Sequence, residues 1–185
     1  MSAPSQQATG LATWKIDPVH SDVEFAIRHM MVSTVKGRFS DVTGTISFDP
    51  ADPTTGSVEV SMSVASVDTR TEARDNHLRS GDFFDVERFP AITFQSKRVE
   101  RGRGERYHVV GDLTIRDTTR EVTLDAEFFG THPDPYGNVR AGFSASTSFN
   151  RSDFGLNYNA AIEAGGVVIG DSVKVSIEIE AVQQK

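Results

Sequence analysis

The stretch DSVKVSIEIEA, Asp171 to Ala181, alternates without a break: Val173, Val175, Ile177, Ile179 and Ala181 fall on one side, Lys174, Ser176, Glu178 and Glu180 on the other. A period of two is the mark of an extended strand with one wet face and one buried face. The same period recurs at the other end of the chain, where Val19, Ser21, Val23, Phe25, Ile27 and His29 share a face opposite His20, Asp22, Glu24 and Arg28. Six further strands are predicted between them, around residues 35–49, 57–68, 91–100, 106–116, 120–130 and 139–150. Their breaks carry turn chemistry: DPADP after Phe48, RGRG at Arg101, DTT at Asp117 and HPDPYGN at His132. Such short connections force neighbours to run antiparallel.

Eight long, one-sided strands close most economically into an up-and-down barrel, because closure removes the exposed edges. The predicted fold class is therefore all-β, an eight-stranded antiparallel barrel, with a two-sheet sandwich as the competing arrangement. A barrel of this size is either filled by its own side chains or holds one ligand. The inward series Ala141, Phe143, Ala145, Thr147, Phe149 alternates small with large residues, which suits a tapering core and a cavity alike.

Composition narrows the chemistry. The 185 residues contain no cysteine, which excludes disulfides, thiolate metal sites and a cysteine nucleophile. A net charge of −7 and the lack of a Lys/Arg run argue against a nucleic-acid partner. The opening MSAPSQQATGLAT has neither a basic nor an apolar leader region, from which a cytoplasmic location is expected. Residues 1–12 are expected to be a flexible segment preceding a single domain, 13–185.

One region obeys neither alternation. In RDNHLRSGDFFDVERFP, Arg74 to Pro90, the spacing of Thr69 and Glu72 predicts a capping box, a helix running to Ser80 and a left-handed stop at Gly81. The helix thus lies between the third and fourth strands, with Asp75 and Arg79 spaced for a surface pair. Phe83, Phe84 and Phe89 crowd the segment after it, as a cork for one barrel end or as a gate to a cavity.

Catalytic signatures are missing. There is no HExxH, GxSxG or phosphate-binding glycine loop. His20 and His29 have opposite parity on one strand, and Asp75 and His77 diverge on a helix, so neither pair chelates a metal. No catalytic residue, metal ligand or cofactor is assigned. His29, on the apolar face, is either a satisfied core histidine or a polar anchor for a ligand. Arg151, in the long connection from Phe149 to Asp171, either pairs with Asp153 or offers its fork to an anion.

WKIDPVHSDVEFAIRHM at Trp14, GRF at Gly37, RDNHLRSGDFFDVERFP, GDLTI at Gly111, NRSDFGL at Asn150 and the closing VKVSIEIEA together resemble the YceI-like proteins, described as polyisoprenoid-binding proteins with a lipocalin-like barrel. The chain departs from that pattern in RDTTREV, Arg116 to Val122, where the family commonly has a glycine-containing hairpin with a Lys-Pro pair. The resemblance implies a non-catalytic binding or carrier protein enclosing a long amphiphile, such as an isoprenoid quinone or a polyprenyl phosphate, with transient membrane contact and a homodimer as further expectations. An enzyme acting on such a lipid and a filled barrel with a stress-related interaction role are the alternatives. Alternation and resemblance together make Phe25, Ile27, His29, Phe39, His77, Leu78, Phe83, Phe84, Phe89, Phe94, Phe143, Phe149, Arg151 and Phe154 the candidate ligand-lining residues.

Overall fold

Each strand pairs antiparallel with its neighbours in a single sheet, and the sheet closes on itself. The computed structural model describes residues 10–159 and 168–185. It contains β1 (Ala12–Ile16), β2 (Asp22–His29), β3 (Ser33–Phe39), β4 (Val42–Asp49), β5 (Asp52–Ser63), β6 (Val67–Asp68), α1 (Glu72–Arg79), β7 (Ala91–Arg101), β8 (Arg106–Ile115), β9 (Thr118–Pro133), β10 (Val139–Asn150) and β11 (Ile169–Gln183). The ring runs β1-β4-β5-β7-β8-β9-β10-β11 and returns to β1. β2 continues β1, β3 leads into β4, and β6 continues β5, so these short strands complete a closed barrel of eight staves.

Two staves expected to be continuous are bent instead, and the first, expected from Val19 on, is two strands with an exposed Val19 in the turn between them. The first breaks at 17–21, where the Val19 amide donates to Asp17 Oδ1 at 3.0 Å. The second breaks at Ser40 and Asp41, and the third passes through a 3₁₀ turn at Val64–Ser66. These interruptions let long staves follow the curvature of a small barrel. The first stave also begins earlier than the alternation indicated, at Ala12; of the N-terminal segment expected to be flexible, residues 1–9 lie outside the described residues.

The helix forms where predicted, but by other means. Thr71, not Thr69, is its N-cap, and no side chain caps it. Thr69 instead gives both its amide and its hydroxyl to Asp75 Oδ1, at 2.8 and 2.5 Å. Asp75 is buried. A carboxylate out of water needs donors more than a surface ion pair does, so the expected Asp75–Arg79 pair does not form. Arg79 turns to the carbonyls of Ala65 (3.1 Å) and Val67 (3.0 Å). Left-handed backbone occurs not at Gly81 but at Arg70 (φ 65°) and Asp85 (φ 53°).

The first stave closes against the last through a polar clasp. Arg140 donates to Asp17 and Asp134 at 2.8 Å and to Glu180 at 3.0 Å. His20 Nδ1 lies 2.9 Å from Asp17, and the Ser21 hydroxyl meets the Glu180 carbonyl at 3.2 Å. Hydrogen bonds from His20 and Arg140 lower the Asp17 pKa to about 2. Asp17, His20 and Glu180 cluster closely enough to hold a cation. Arg140 bonds both carboxylates and supplies the positive charge there itself.

Candidate ligand cavity

The two ends of the barrel are built differently, and a space lies between them. At the floor, Trp14 packs on Phe48 (ring centroids 5.3 Å apart), Phe48 on Phe128 and Phe143 (5.4 Å each), and Phe128 stacks on Phe143 (5.2 Å). Trp14 and Ala181 are fully buried there. At the mouth, α1 and the Phe83–Phe84 segment lie over the opening, with Phe39 touching Phe25 (5.6 Å) and Phe84 (5.8 Å). His77, Phe83 and Tyr158 form an edge-to-face trio at 4.8–5.2 Å.

The space between has a volume of about 520 Å³, within the range of roughly 300–1,000 Å³ typical of small-molecule sites. Its walls are almost wholly apolar, with Val60, Val109, Leu113, Leu124, Val175 and Ile177 among the lining residues. The burial pattern has the same cause. On β11, Val173, Val175, Ile177 and Ile179 point inward yet are only half-buried, whereas Ala181 on the same face is fully buried at the floor. Gly37 is required by the wall: a Cβ there would collide with the Phe25 ring and the Thr69 methyl.

Of the sequence candidates, Phe25, Ile27, His29, Phe39, His77, Leu78, Phe83, Phe84, Phe94, Phe143, Phe149 and Arg151 line this cavity. Two do not. Phe89 lies outside, its ring 5.0 Å from the Arg88 guanidinium and 5.8 Å from that of Arg116. Phe154 is buried behind the wall, packed on Phe149 at 5.1 Å. Both were included because they sit in aromatic-rich segments, but in non-strand backbone no period indicates which way a ring points.

Arg151 lines the cavity without making the Asp153 pair. Its Nε donates to the Gly170 carbonyl (2.8 Å), Nη1 to Leu156 (2.7 Å) and Tyr158 (2.8 Å), and Nη2 to Ile169 (3.3 Å). Burial pulls its pKa below the usual arginine value, with the charge of Asp171 opposing. Asp171 itself accepts from the Ser152 amide and hydroxyl at 3.0 and 2.8 Å. The arginine thus fastens the 151–159 arm to the start of β11. His77 Nε2 stands 2.8 Å from Asp82 Oδ2, in the open mouth. Arg28, Thr69, Arg74 and Tyr158 also line the mouth, and the sequence reading missed all four as cavity residues. Arg74 directly precedes Asp75 in a helix too weakly amphipathic to indicate its inward side.

A closed antiparallel barrel with an apolar interior cavity, a sealed aromatic floor and a capped mouth defines a hollow β-barrel, an architecture with room for one ligand. The YceI-like domain model matches residues 14–181, and the chain belongs to that family. It is 40% identical over 171 residues to a UPF0312 protein of Staphylococcus aureus (strain N315), a match spanning 92% of this chain and 97% of the relative. Among solved structures it resembles the Campylobacter jejuni YceI protein (34% identity, TM-score 0.74, covering 86% of this chain and 91% of that one). The barrel is also shared with BcnA of Burkholderia cenocepacia (23%, TM-score 0.78, 89% and 98% covered). A polyisoprenoid binding domain from Saccharophagus degradans has the same fold at 15% identity (TM-score 0.67, 95% and 100% covered).

Proposed function

We propose that this protein is a non-catalytic carrier that takes a long-chain amphiphile, such as an isoprenoid, into the barrel, tail toward Trp14 and Phe48. The observation that supports this most is the unfilled apolar space whose inward side chains remain half-buried. Each CH₂ moved out of water contributes roughly 0.8 kcal/mol, so ten carbons supply on the order of 8 kcal/mol before ordering costs. No reactive group is needed. The polyisoprenoid binding domain of S. degradans, of like fold, supports the same ligand class.

Loading from a bilayer would use the β2–β3 tip. Met30 and Met31 hold left-handed backbone (φ 51° and 62°), a conformation costly for side chains of their kind, and Met30, Met31 and Val32 are exposed. Arg28 reaches over the same turn to the Met31 carbonyl at 3.2 Å, adding positive charge suited to an anionic membrane surface. Replacing all three apolar residues with Ser should weaken sedimentation with phosphatidylglycerol-containing vesicles; unchanged sedimentation would remove the tip from this role.

Native mass spectrometry of freshly purified protein tests the carrier reading. A lipid-sized adduct, removed by organic extraction and restored by adding a prenyl alcohol, is the expected result. A chain that stays bare in the presence of excess prenyl alcohol would refute it. A second reading, a lipid-modifying enzyme, draws on His77 and Asp82, the orienting pair that a general base requires. Turnover of a prenyl phosphate, abolished in H77A, would favour that reading.

A further inference from the structure

The sheet closes as a ring, yet one seam in it is unzipped near the mouth. β9 pairs with β8 as far as Thr118 against Ile115, and β10 pairs with β11 as far as Asn150 against Ser172. The pairing of β9 with β10 stops earlier, at Asp125 against Ser146. Beyond it, 118–124 and 147–150 run toward the mouth without a register between them. There the Thr147 hydroxyl donates to the Thr123 carbonyl at 3.0 Å, a side-chain bond across strands that no longer pair. A cleft of about 460 Å³ opens on the outer face, lined by Glu121, Thr123, Ser148, Asn150, Asp153 and Ser172. Val122, Thr147 and Phe149 line this cleft and the interior cavity alike, so the wall here is one side chain thick.

The two sides of the seam belong to separate units. β9 is held by its long ladder with β8. β10 leads into the 3₁₀ turn Arg151–Phe154, where Arg151 donates to Gly170 and Ile169 and Ser152 donates to Asp171, all on the β11 side. Among the described residues no hydrogen bond from this turn reaches β9. It meets β9 through packing, with Phe154 buried in the cluster that takes in Val122 and Leu124. The α1 cover is fastened otherwise: Arg74 and Asp75 bond Thr69, and Arg79 bonds the Ala65 and Val67 carbonyls. Lifting α1 breaks all of these bonds, two of them to a buried carboxylate. Parting the seam breaks the Thr147–Thr123 bond and slides apolar surfaces whose attraction is non-directional. The seam is therefore the low-stability element of the mouth.

We propose that the amphiphile enters and leaves sideways through the β9–β10 seam, with α1 staying in place as a fixed cover. This rests on the carrier reading. The seam lengthens the mouth down the wall, so a chain slides in with its tail toward the floor and displaces neither α1 nor the Phe83–Phe84 turn.

The full-length chain has no cysteine, so a thiol pair introduced across the seam is the only one present. Continuing the register sets Thr123 opposite Ser148, and both are exposed. Uptake and release of ω-bromohexadecanoic acid are followed by stopped-flow quenching of Trp14. Oxidised T123C/S148C, its disulfide verified by mass, is expected to exchange this probe at least tenfold more slowly than the reduced form, with its Kd changed less than twofold. E127C/S144C ties the same two strands where they do pair, and its oxidation is expected to leave both rates unchanged. T147V removes the lone bond across the seam and is expected to speed release at least threefold. Unchanged rates in oxidised T123C/S148C, equal slowing in oxidised E127C/S144C, or wild-type release in T147V would each overturn the lateral route while leaving the barrel as a lipid site. If the probe does not bind wild type, the carrier reading fails and takes this one with it. T147V decides the matter even if the cross-linked pair folds poorly.

Discussion

The floor and the mouth of the barrel solve the same problem, closing an open end, with different materials. The floor is made by the staves themselves: alternation carries Trp14, Phe48, Tyr107, Phe128 and Ala181 inward at one level, and their rings interlock. The mouth is made by segments outside the strands, α1, the Phe83–Phe84 turn and the 151–159 arm. Polar bonds from Arg79, Asp75 and Arg151 to backbone and hydroxyl groups fasten them. Packing that belongs to the sheet cannot open without unfolding it. Segments tied on by a few hydrogen bonds can move while the sheet stays closed, and an interior ligand needs one such end.

The largest effect is expected at the floor. F48A removes a ring that is 2% exposed and touches three other aromatic rings, and it should cost about 3–5 kcal/mol in denaturant unfolding. At the mouth, R151M strips four carbonyls of their donor and should cost about 2–3 kcal/mol. Its signature is local: amide exchange should accelerate at 156–159 and 168–170 while the floor strands keep their protection. Uniform acceleration would erase the distinction between the two ends.

The clasp at Asp17 gives the floor end an acid limit. Its folded pKa, about 2, lies below the ordinary aspartate value of 3.8, so its contribution is fully present above about pH 4 and is lost as pH falls through 2. The loss should be about 1–2 kcal/mol after allowing for partial solvent exposure, read as a shift of the urea midpoint between pH 5 and pH 2.5. D17N should be less stable at pH 5 and should show less of that shift. The F83A/F84A pair is read on the ligand rather than on stability. It should leave the circular-dichroism strand signal intact while weakening retention of a prenyl lipid by on the order of tenfold. Unchanged retention would reduce the two rings to a structural cork.

The contrast also explains what could be read from the residues alone. Alternation in Val173–Ala181 and Val23–His29 gave those staves and their inward faces, because a strand's side-chain direction follows from its period, whereas Val19, read onto the same face, lies in the exposed turn before β2. The position of α1 was legible from its break with that period. Its fastening was not. Thr69 bonding Asp75, Arg151 reaching Gly170 and Arg74 lining the rim depend on how separate segments meet in space, which no local spacing encodes. Phe89 and Phe154 misled for the same reason. Nor could alternation tell an empty barrel from a filled one, since Phe143 and Ala145 read identically in both.

Trp14, the single tryptophan, lies one ring behind the cavity floor and reports directly on whether a chain reaches it. Titrating the protein with a long-chain lipid brominated at its tail end should quench Trp14 fluorescence saturably at one equivalent, and the same lipid brominated beside its headgroup should not. Absence of quenching by the tail-labelled lipid, or stronger quenching by the head-labelled one, would contradict a barrel that takes its ligand tail first down to an aromatic floor.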